Sequence, residues 1–199
     1  MQFIERDETP FIVERFHECL VVKFIRPVAR NPLSIAALKL LHRFVDSHFS
    51  SPDFKKFIFT GTDDVFASGA NLREIAKVTP ETAREFAERG QSLMKKIADS
   101  PKLTIAAVNG FCFGGALDLA LSCKLRIGSP NAVFCHPGAN LGIITGWGGT
   151  QRLPRLIGEA RALEMFLTAK QIDAHEALRI NLIDAISERP LETALNSAN

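Results

Sequence analysis

The sequence predicts an α/β fold in a single domain, on three observations. Short β-branched and aromatic runs alternate with stretches whose apolar residues recur at helical spacing. Two of those runs pass through a turn of small residues into the start of a helix. A chain of 199 residues, 46% hydrophobic and 23% charged, is long enough and apolar enough for one substantial core.

The elements follow in order. CLVVKFI, Cys19 to Ile25, is short and β-branched and reads as a strand, bounded by His17-Glu18 and Arg26-Pro27. Pro27 and Pro32 bracket a loop, and from Leu33 to Val45 the apolar positions Leu38, Leu41 and Val45 recur at helical spacing. FIFTGT, Phe57 to Thr62, is a second strand, followed by the loop DDVFASGANL, whose small residues let backbone approach a ligand. Thr79-Pro80-Glu81 opens the clearest helix: Thr79 can cap it and Pro80 suits its first position. Ala83, Phe86, Ala87, Gly90, Leu93 and Ile97 form one apolar face of that helix, which ends before Ser100-Pro101.

TIAAVNG is a third strand that runs into Gly114-Gly115 and then a helix beginning near Ala116. KLRIG and AVFCH are further strands, followed by glycine-rich backbone from Gly142 to Thr150. Glu159 to Thr168 and Ala174 to Ile180 are helical, and Asn181 is a left-handed stop because asparagine tolerates positive φ. No low-complexity linker and no internal repeat appears.

Composition excludes several functions. A net charge of +2 with scattered basic residues does not describe a nucleic-acid module. The uncharged stretch Leu103 to Leu117 holds Asn109 and three glycines and falls short of the roughly 20 apolar residues a membrane span needs. MQFIERDETP carries acids where a signal peptide has a basic start and an apolar core, which predicts a cytoplasmic protein. Cys19, Cys112, Cys123 and Cys135 form no CxxC pair and no metal spacing, so buried, reduced thiols and no metal are expected.

The chemistry concentrates in the two strand-turn-helix constructions. One is FIFTGT, then Ala67-Ser68-Gly69-Ala70 and a helix start at Asn71-Leu72-Arg73-Glu74; the other is TIAAVNG, then Gly114-Gly115 and the helix of Asp118. The first amides of a helix have no partner within it, so each construction aims free N–H groups above the strand ends. Two such loops side by side make an oxyanion hole, each donor stabilising a transition state by about 3 to 4 kcal/mol. Asp118 follows Gly115 by three residues and so lies near the same helix end. Among Leu117, Leu119 and Leu121 its carboxyl would be partly desolvated and suited to proton transfer; a helix-start carboxylate satisfying the dipole is the other reading.

NGFCFGGALDLALSCKLRIGSPNAVFCHPGANLGIITGWGGTQRLPRLIG resembles the signature region of the crotonase superfamily, the enoyl-CoA hydratase and isomerase family. RPVARNPLS, VFASGANLREI and ALEMFLTAKQIDAHEALRINLID are similar to further family segments in order and spacing. The resemblance implies a spiral of repeated β-β-α units that binds an acyl-CoA thioester, with coenzyme A entering as substrate and no separate cofactor. It places the oxyanion donors on Ala70 and Gly115, with Gly114 beside them. Ser68 to Leu72, including Asn71, would contact the adenine and pantetheine parts. The loop from Arg26 to Asn31 would lie near the nucleotide, with Arg26 and Arg30 as phosphate attractors or plain solvated charges.

The chain departs from the family in two places. Hydratases of the family use two glutamates; the first falls on Asp118, a shorter acid, and the second on Gly138 of His136-Pro137-Gly138, so one acid is lost. His136 stands two positions away as either a substitute or a structural histidine. Asp63, Asp64 and Glu74 are further acids near the first loop. The family's C-terminal helical module, about 60 residues and of subdomain size, supports trimers or hexamers and is absent or truncated after about residue 190.

These residues predict an acyl-CoA enzyme of fatty-acid type that stabilises a thioester enolate with Asp118 as its proton-transferring group. Hydration is the family's usual reaction, and isomerisation or decarboxylation with a single base is nearly as well supported. A non-catalytic acyl-CoA binder is the rival from another class, and a cysteine hydrolase using Cys112 and His136 is a third reading.

Overall fold

The computed structural model describes residues 9–197, so the reading of MQFIERDETP falls for the most part outside the described residues. In chain order the elements are β1 (Phe11–Phe16), β2 (Cys19–Phe24), β3 (Pro32–Leu33), α1 (Ile35–His48), β4 (Lys56–Thr60), β5 (Val65–Ala67) and β6 (Gly69–Ala70). Next come α2 (Leu72–Ile75), α3 (Pro80–Ala98), β7 (Leu103–Val108), β8 (Phe111–Phe113), α4 (Gly115–Ser122), β9 (Leu125–Gly128) and β10 (Val133–Cys135). The chain continues with α5 (Gly149–Ile157), α6 (Glu159–Thr168), β11 (Ile172–Asp173), α7 (Ala174–Arg179), β12 (Ala185–Ile186) and α8 (Pro190–Asn196). Short 3₁₀ turns occupy Pro27–Ala29 and Pro137–Leu141.

Three sheets organise these strands. A six-stranded sheet has the order β1-β2-β4-β7-β9-β12, a four-stranded sheet the order β11-β10-β8-β5, and β3 pairs with β6. Apart from the β1-β2 hairpin, the large sheet is parallel throughout. Each coil contributes a strand to the large sheet, the next strand to the small sheet, and then helix: β4-β5-α3, β7-β8-α4 and β9-β10-α5. This is the expected β-β-α spiral, with successive coils joined by the parallel pairings β2–β4, β4–β7 and β7–β9.

Burial explains why the strands read as unbroken apolar runs. All five residues of β4 are buried, as are five of the six in β7, since both faces of a parallel sheet are covered. Phe24, Phe57, Phe59, Phe66 and Phe134 fill the space between sheet and helices, where Phe44, Phe49, Phe54 and Phe57 meet edge-on or tilted. α1 starts where Ser34 accepts from the Ala37 amide, and beyond α7 and its cap Ile180 the chain turns through Asn181 with φ 62°.

The structure corrects several local expectations. The stretch DDVFASGANL is not one loop: β5 and β6 run through it. TIAAVNG does not lead directly to Gly114-Gly115, because β8 intervenes and carries the chain from the large sheet to the small one. The glycine-rich backbone after Gly142 gives way to α5 at Gly149. Near the end of the described residues the chain forms the short helix α8. α8 is held by Lys56, whose buried ammonium donates to the carbonyls of Ala194 (3.3 Å), Leu195 (3.0 Å) and Ser197 (2.5 Å). These carbonyls close the C-terminal end of the helix, where a cation is favoured. Among the described residues no helix is long and apolar enough to cross a membrane.

Candidate active site

The two glycine-containing turns meet. A β-carbon on Gly69, which has φ +80°, would come within 2.5 Å of the Gly115 nitrogen and 2.6 Å of the Phe113 carbonyl. Only a glycine backbone permits that approach. Ala70 follows Gly69 on β6, and Gly115 is the first residue of α4, where an amide has no partner within the helix. Both border a cavity of about 250 Å³, together with Ser68, Gly114, Asp118 and His136.

Three coils of the spiral therefore supply one cavity. The turn after β5, β6 and the start of α2 bring Ser68, Ala70 and Leu72, α4 brings Gly115 and Asp118, and the turn that follows β10 brings His136 and Gly138. Its remaining walls are largely apolar: Ile75 and Val78, then Ala83, Phe86 and Ala87 from α3, with Leu141 and residues 143–147. The apolar face expected on α3 is thus divided. Gly90, Leu93, Met94 and Ile97 enter the core, whereas Ala83, Phe86 and Ala87 face the cavity. Leu72, Leu141, Ile143 and Ile144 are exposed around it.

Asp118 is fully buried in the first turn of α4. Its Oδ2 accepts a hydrogen bond from the Thr145 hydroxyl, while Oδ1 has no hydrogen-bond partner among the described residues. Burial pushes the carboxyl up to about 6 from its usual 3.8. The Thr145 hydrogen bond, the backbone at Trp147, the Arg152 charge and the backbone at Gly149 oppose that rise. The last of these is the entry to α5: a β-carbon on Gly149 would stand 2.2 Å from Oδ1, so the carboxylate lies against a helix N-terminus. Desolvation wins over all four opposing influences.

His136 completes this wall. Its ring lies 5.3 Å from that of Phe166, and its Nε2 is 3.7 Å from Asp118 Oδ1. Neither ring nitrogen has a hydrogen-bond partner among the described residues. Burial lowers its pKa to about 4, so the ring is neutral in the resting protein.

The position read as the lost acid is closed by backbone. The Ile143 amide donates to the Gly138 carbonyl at 3.0 Å, and a β-carbon on Gly138 would lie 2.4 Å from the Ile143 oxygen. Trp147 is wedged between two glycines: β-carbons on Gly90 and Gly115 would lie 2.2 and 2.3 Å from its indole. Gln91 fixes the same loop by donating to the Gly146 carbonyl at 2.8 Å.

Several other sequence candidates serve the scaffold. Asn71 caps α2 by accepting from the Arg73 amide. Glu74 accepts from the Ile35 amide at 2.8 Å and so ties α2 to the start of α1. Asp63 and Asp64 form the exposed turn between β4 and β5, outside the cavity. Arg26 and Arg30 are exposed beside Asn31, whose buried amide donates to the carbonyls of Val65 and Phe66 and accepts from the Arg26 amide. Cys112 is fully buried in β8 with its thiol pushed well up, away from the cavity lining, which removes the Cys112–His136 reading. Among the described residues no group of three or more His, Cys, Asp or Glu could hold a metal.

A spiral of β-β-α coils whose turns converge on a cavity with a buried acid defines the class of crotonase-fold proteins. Residues 14–197 match the sequence profile for enoyl-CoA hydratase/isomerase, and the chain belongs to that enzyme family. It is similar to the crotonyl-CoA hydratase of Syntrophomonas wolfei, with 39% identity over 88% of this chain and 68% of that protein. The short-chain-enoyl-CoA hydratase of Clostridium acetobutylicum is 37% identical over 94% of this chain and 73% of its own. Among solved structures, DspI of Pseudomonas aeruginosa has a TM-score of 0.89 at 32% identity, covering 95% of this chain and 79% of that one. The enoyl-CoA hydratase of Bacillus anthracis also has a TM-score of 0.89, at 31% identity over 94% and 74%.

Proposed function

We propose that the chain acts on acyl-CoA thioesters, stabilising an enolate at the Ala70 and Gly115 amides and moving protons with Asp118. The observation that carries this reading is the contact of the Gly69 backbone with Gly115, which sets the two turns side by side at one cavity. A thioester oxygen received there gains two N–H donors as negative charge develops, an arrangement whose donors contribute about 3 to 4 kcal/mol each. Asp118, in the first turn of the helix that Gly115 begins, then lies near the acyl carbons. Ser68, Asn71, Leu72 and Gly114 belong to the segments along which the coenzyme part would run.

The relatives named as crotonyl-CoA and short-chain-enoyl-CoA hydratases make hydration of a short 2-enoyl-CoA the first reaction to assay. Asp118→Asn is expected to lower kcat on crotonyl-CoA by at least about 100-fold, the lower end of the usual contribution of a proton-transferring side chain. Full turnover in that variant, on every thioester tried, would remove Asp118 from the chemistry. The closed backbone at Gly138 favours a second reading in which a single carboxyl carries double-bond isomerisation or decarboxylation. Turnover of a 3-enoyl-CoA or a 2-carboxyacyl-CoA without hydration of crotonyl-CoA would select it. Calorimetric binding of crotonyl-CoA with no turnover of any of these would instead mark a non-catalytic binder.

A further inference from the structure

The cavity wall contains buried polar atoms on two residues, Asp118 and His136, that are left without a hydrogen-bond partner among the described residues. They are Asp118 Oδ1 and both ring nitrogens of His136, in a wall otherwise lined mainly by apolar side chains. Leaving such atoms buried and unpaired is unfavourable, because they have given up water without gaining a partner. The tautomer of a histidine is set by the hydrogen bond its ring makes; this ring makes none among the described residues, so either nitrogen is free to hold the proton. Its Nε2 faces Oδ1 at 3.7 Å, less than 1 Å beyond hydrogen-bond length, and both residues border the same cavity as the Ala70 and Gly115 amides. The turn at Gly138 cannot hold an acid, but the histidine two residues earlier stands at the cavity in its own right.

We propose that His136 is the second proton-handling residue of the site, acting as the base that activates water while Asp118 serves as the acid. This rests on the enolate-stabilising reading above and assigns to that site a two-group hydration. The water oxygen bonds to the acyl β-carbon as its O–H bond breaks, and the proton passes to the His136 imidazole. The protonated Asp118 carboxyl delivers its proton to the α-carbon, and the charge leaves the oxyanion hole. Imidazolium and carboxylate then face each other, and one proton passes from His136 to Asp118 Oδ1, restoring both groups. Besides His136, the titratable groups that face Asp118 are Arg152 from α5 and Cys112 from β8, while the His136 ring is shifted by burial.

Two measurements on the intact protein separate this inference from the reading beneath it. Exchange of the α-protons of butyryl-CoA in deuterated water needs the amides and Asp118 alone; hydration of crotonyl-CoA needs His136 as well. His136→Gln, and His136→Asn in case the first packs poorly against Phe166, are expected to lose at least about 100-fold in kcat for hydration. KM should stay within a few-fold of the parent value and α-exchange should be retained. Wild-type hydration rates in either folded variant would overturn the role of His136 while leaving the enolate reading intact. Loss of α-exchange in the wild type would instead overturn the enolate reading itself. The wild-type protein gives an independent readout. Its hydration rate should fall above pH about 6 as Asp118 ionises and below pH about 4 as His136 protonates. An absent acid limb would overturn the proposal even if both variants failed to fold.

Discussion

The indole of Trp147 occupies the place where a side chain on Gly115 would begin, with its Cζ3 atom 2.3 Å from the ideal β-carbon position. The same ring fills the equivalent space at Gly90, so α3 and α4 approach through one aromatic side chain. Gly115→Ala is therefore expected to destabilise the fold by about 1 to 3 kcal/mol, as overpacking does. Trp147→Ala should relieve that cost, so that the double variant is more stable than the two single effects sum to. Urea unfolding of the four proteins of the cycle measures the coupling, and strict additivity would mean that the contact carries no energy.

Trp147 also closes one side of the apolar cavity, next to Phe86 at 6.0 Å between ring centres. Trp147→Ala should extend the space available to an acyl chain. At about 0.8 kcal/mol per buried methylene, four further carbons add up to about 3 kcal/mol, on the order of 100-fold in relative kcat/KM for an eight-carbon over a four-carbon enoyl-CoA. A chain-length profile unchanged from the parent would place the acyl chain elsewhere.

The pH dependence of stability has two opposing parts. Asp118 binds its proton more tightly when folded, titrating at about 6 instead of 3.8. Its contribution is thus most favourable below the lower value and declines as pH rises through the upper one. His136 titrates at about 4 instead of 6.5, so the unfolded chain takes up the proton first and stability falls as pH drops from 6.5 to 4. Asp118→Asn is expected to be stabilising at pH 7, by up to about 3 kcal/mol, and His136→Gln to be stabilising only in acid. Denaturant unfolding of both variants across pH 4 to 8 tests the two signs separately.

Restoring an acid at position 138 should fail. Gly138→Glu drives a β-carbon to 2.4 Å from the Ile143 carbonyl, against backbone that cannot swing aside as a side chain would. The expected result is a loss of about 1 to 3 kcal/mol in stability with no gain in hydration. A stable, more active variant would show that the Gly138–Ile143 turn yields.

Thr145 donates to Asp118 Oδ2, the largest of the influences that hold this carboxyl down. Thr145→Val should move the Asp118 titration upward and carry the alkaline limb of the rate profile with it. An unmoved limb would assign that limb to another group.

What the sequence made legible was local. The glycine turn at Ser68–Gly69 and the Gly115-to-Asp118 spacing each lie within a short stretch of chain, so residue type and helical period were enough to mark two small-residue turns and a helix-start acid; the donor roles of Ala70 and Gly115 came only from the family resemblance. β10 lies within the AVFCH run, but the other strands of two or three residues, β3, β5, β6, β8, β11 and β12, are too short to show a period, and all of them except β12 lie in the two smaller sheets. Thr145 is 27 residues from the carboxylate it bonds, and Asn31 is 34 and 35 residues from the carbonyls it holds. Those pairings exist only after the coils stack. The asparagine did carry one faint signal: it precedes a proline and adopts φ 46°, a conformation this residue type tolerates. Nothing local distinguished His136 from a histidine at the end of any buried strand.

The sequence contains one tryptophan and no tyrosine. The long-wavelength ultraviolet absorption and nearly all emission of the protein therefore arise from a single indole, Trp147, set in the wall beside Gly115 and Phe86. The molecule carries an optical reporter at its own site, so thioester occupancy, rearrangement of the 143–148 loop and loss of the fold can each be followed without a label.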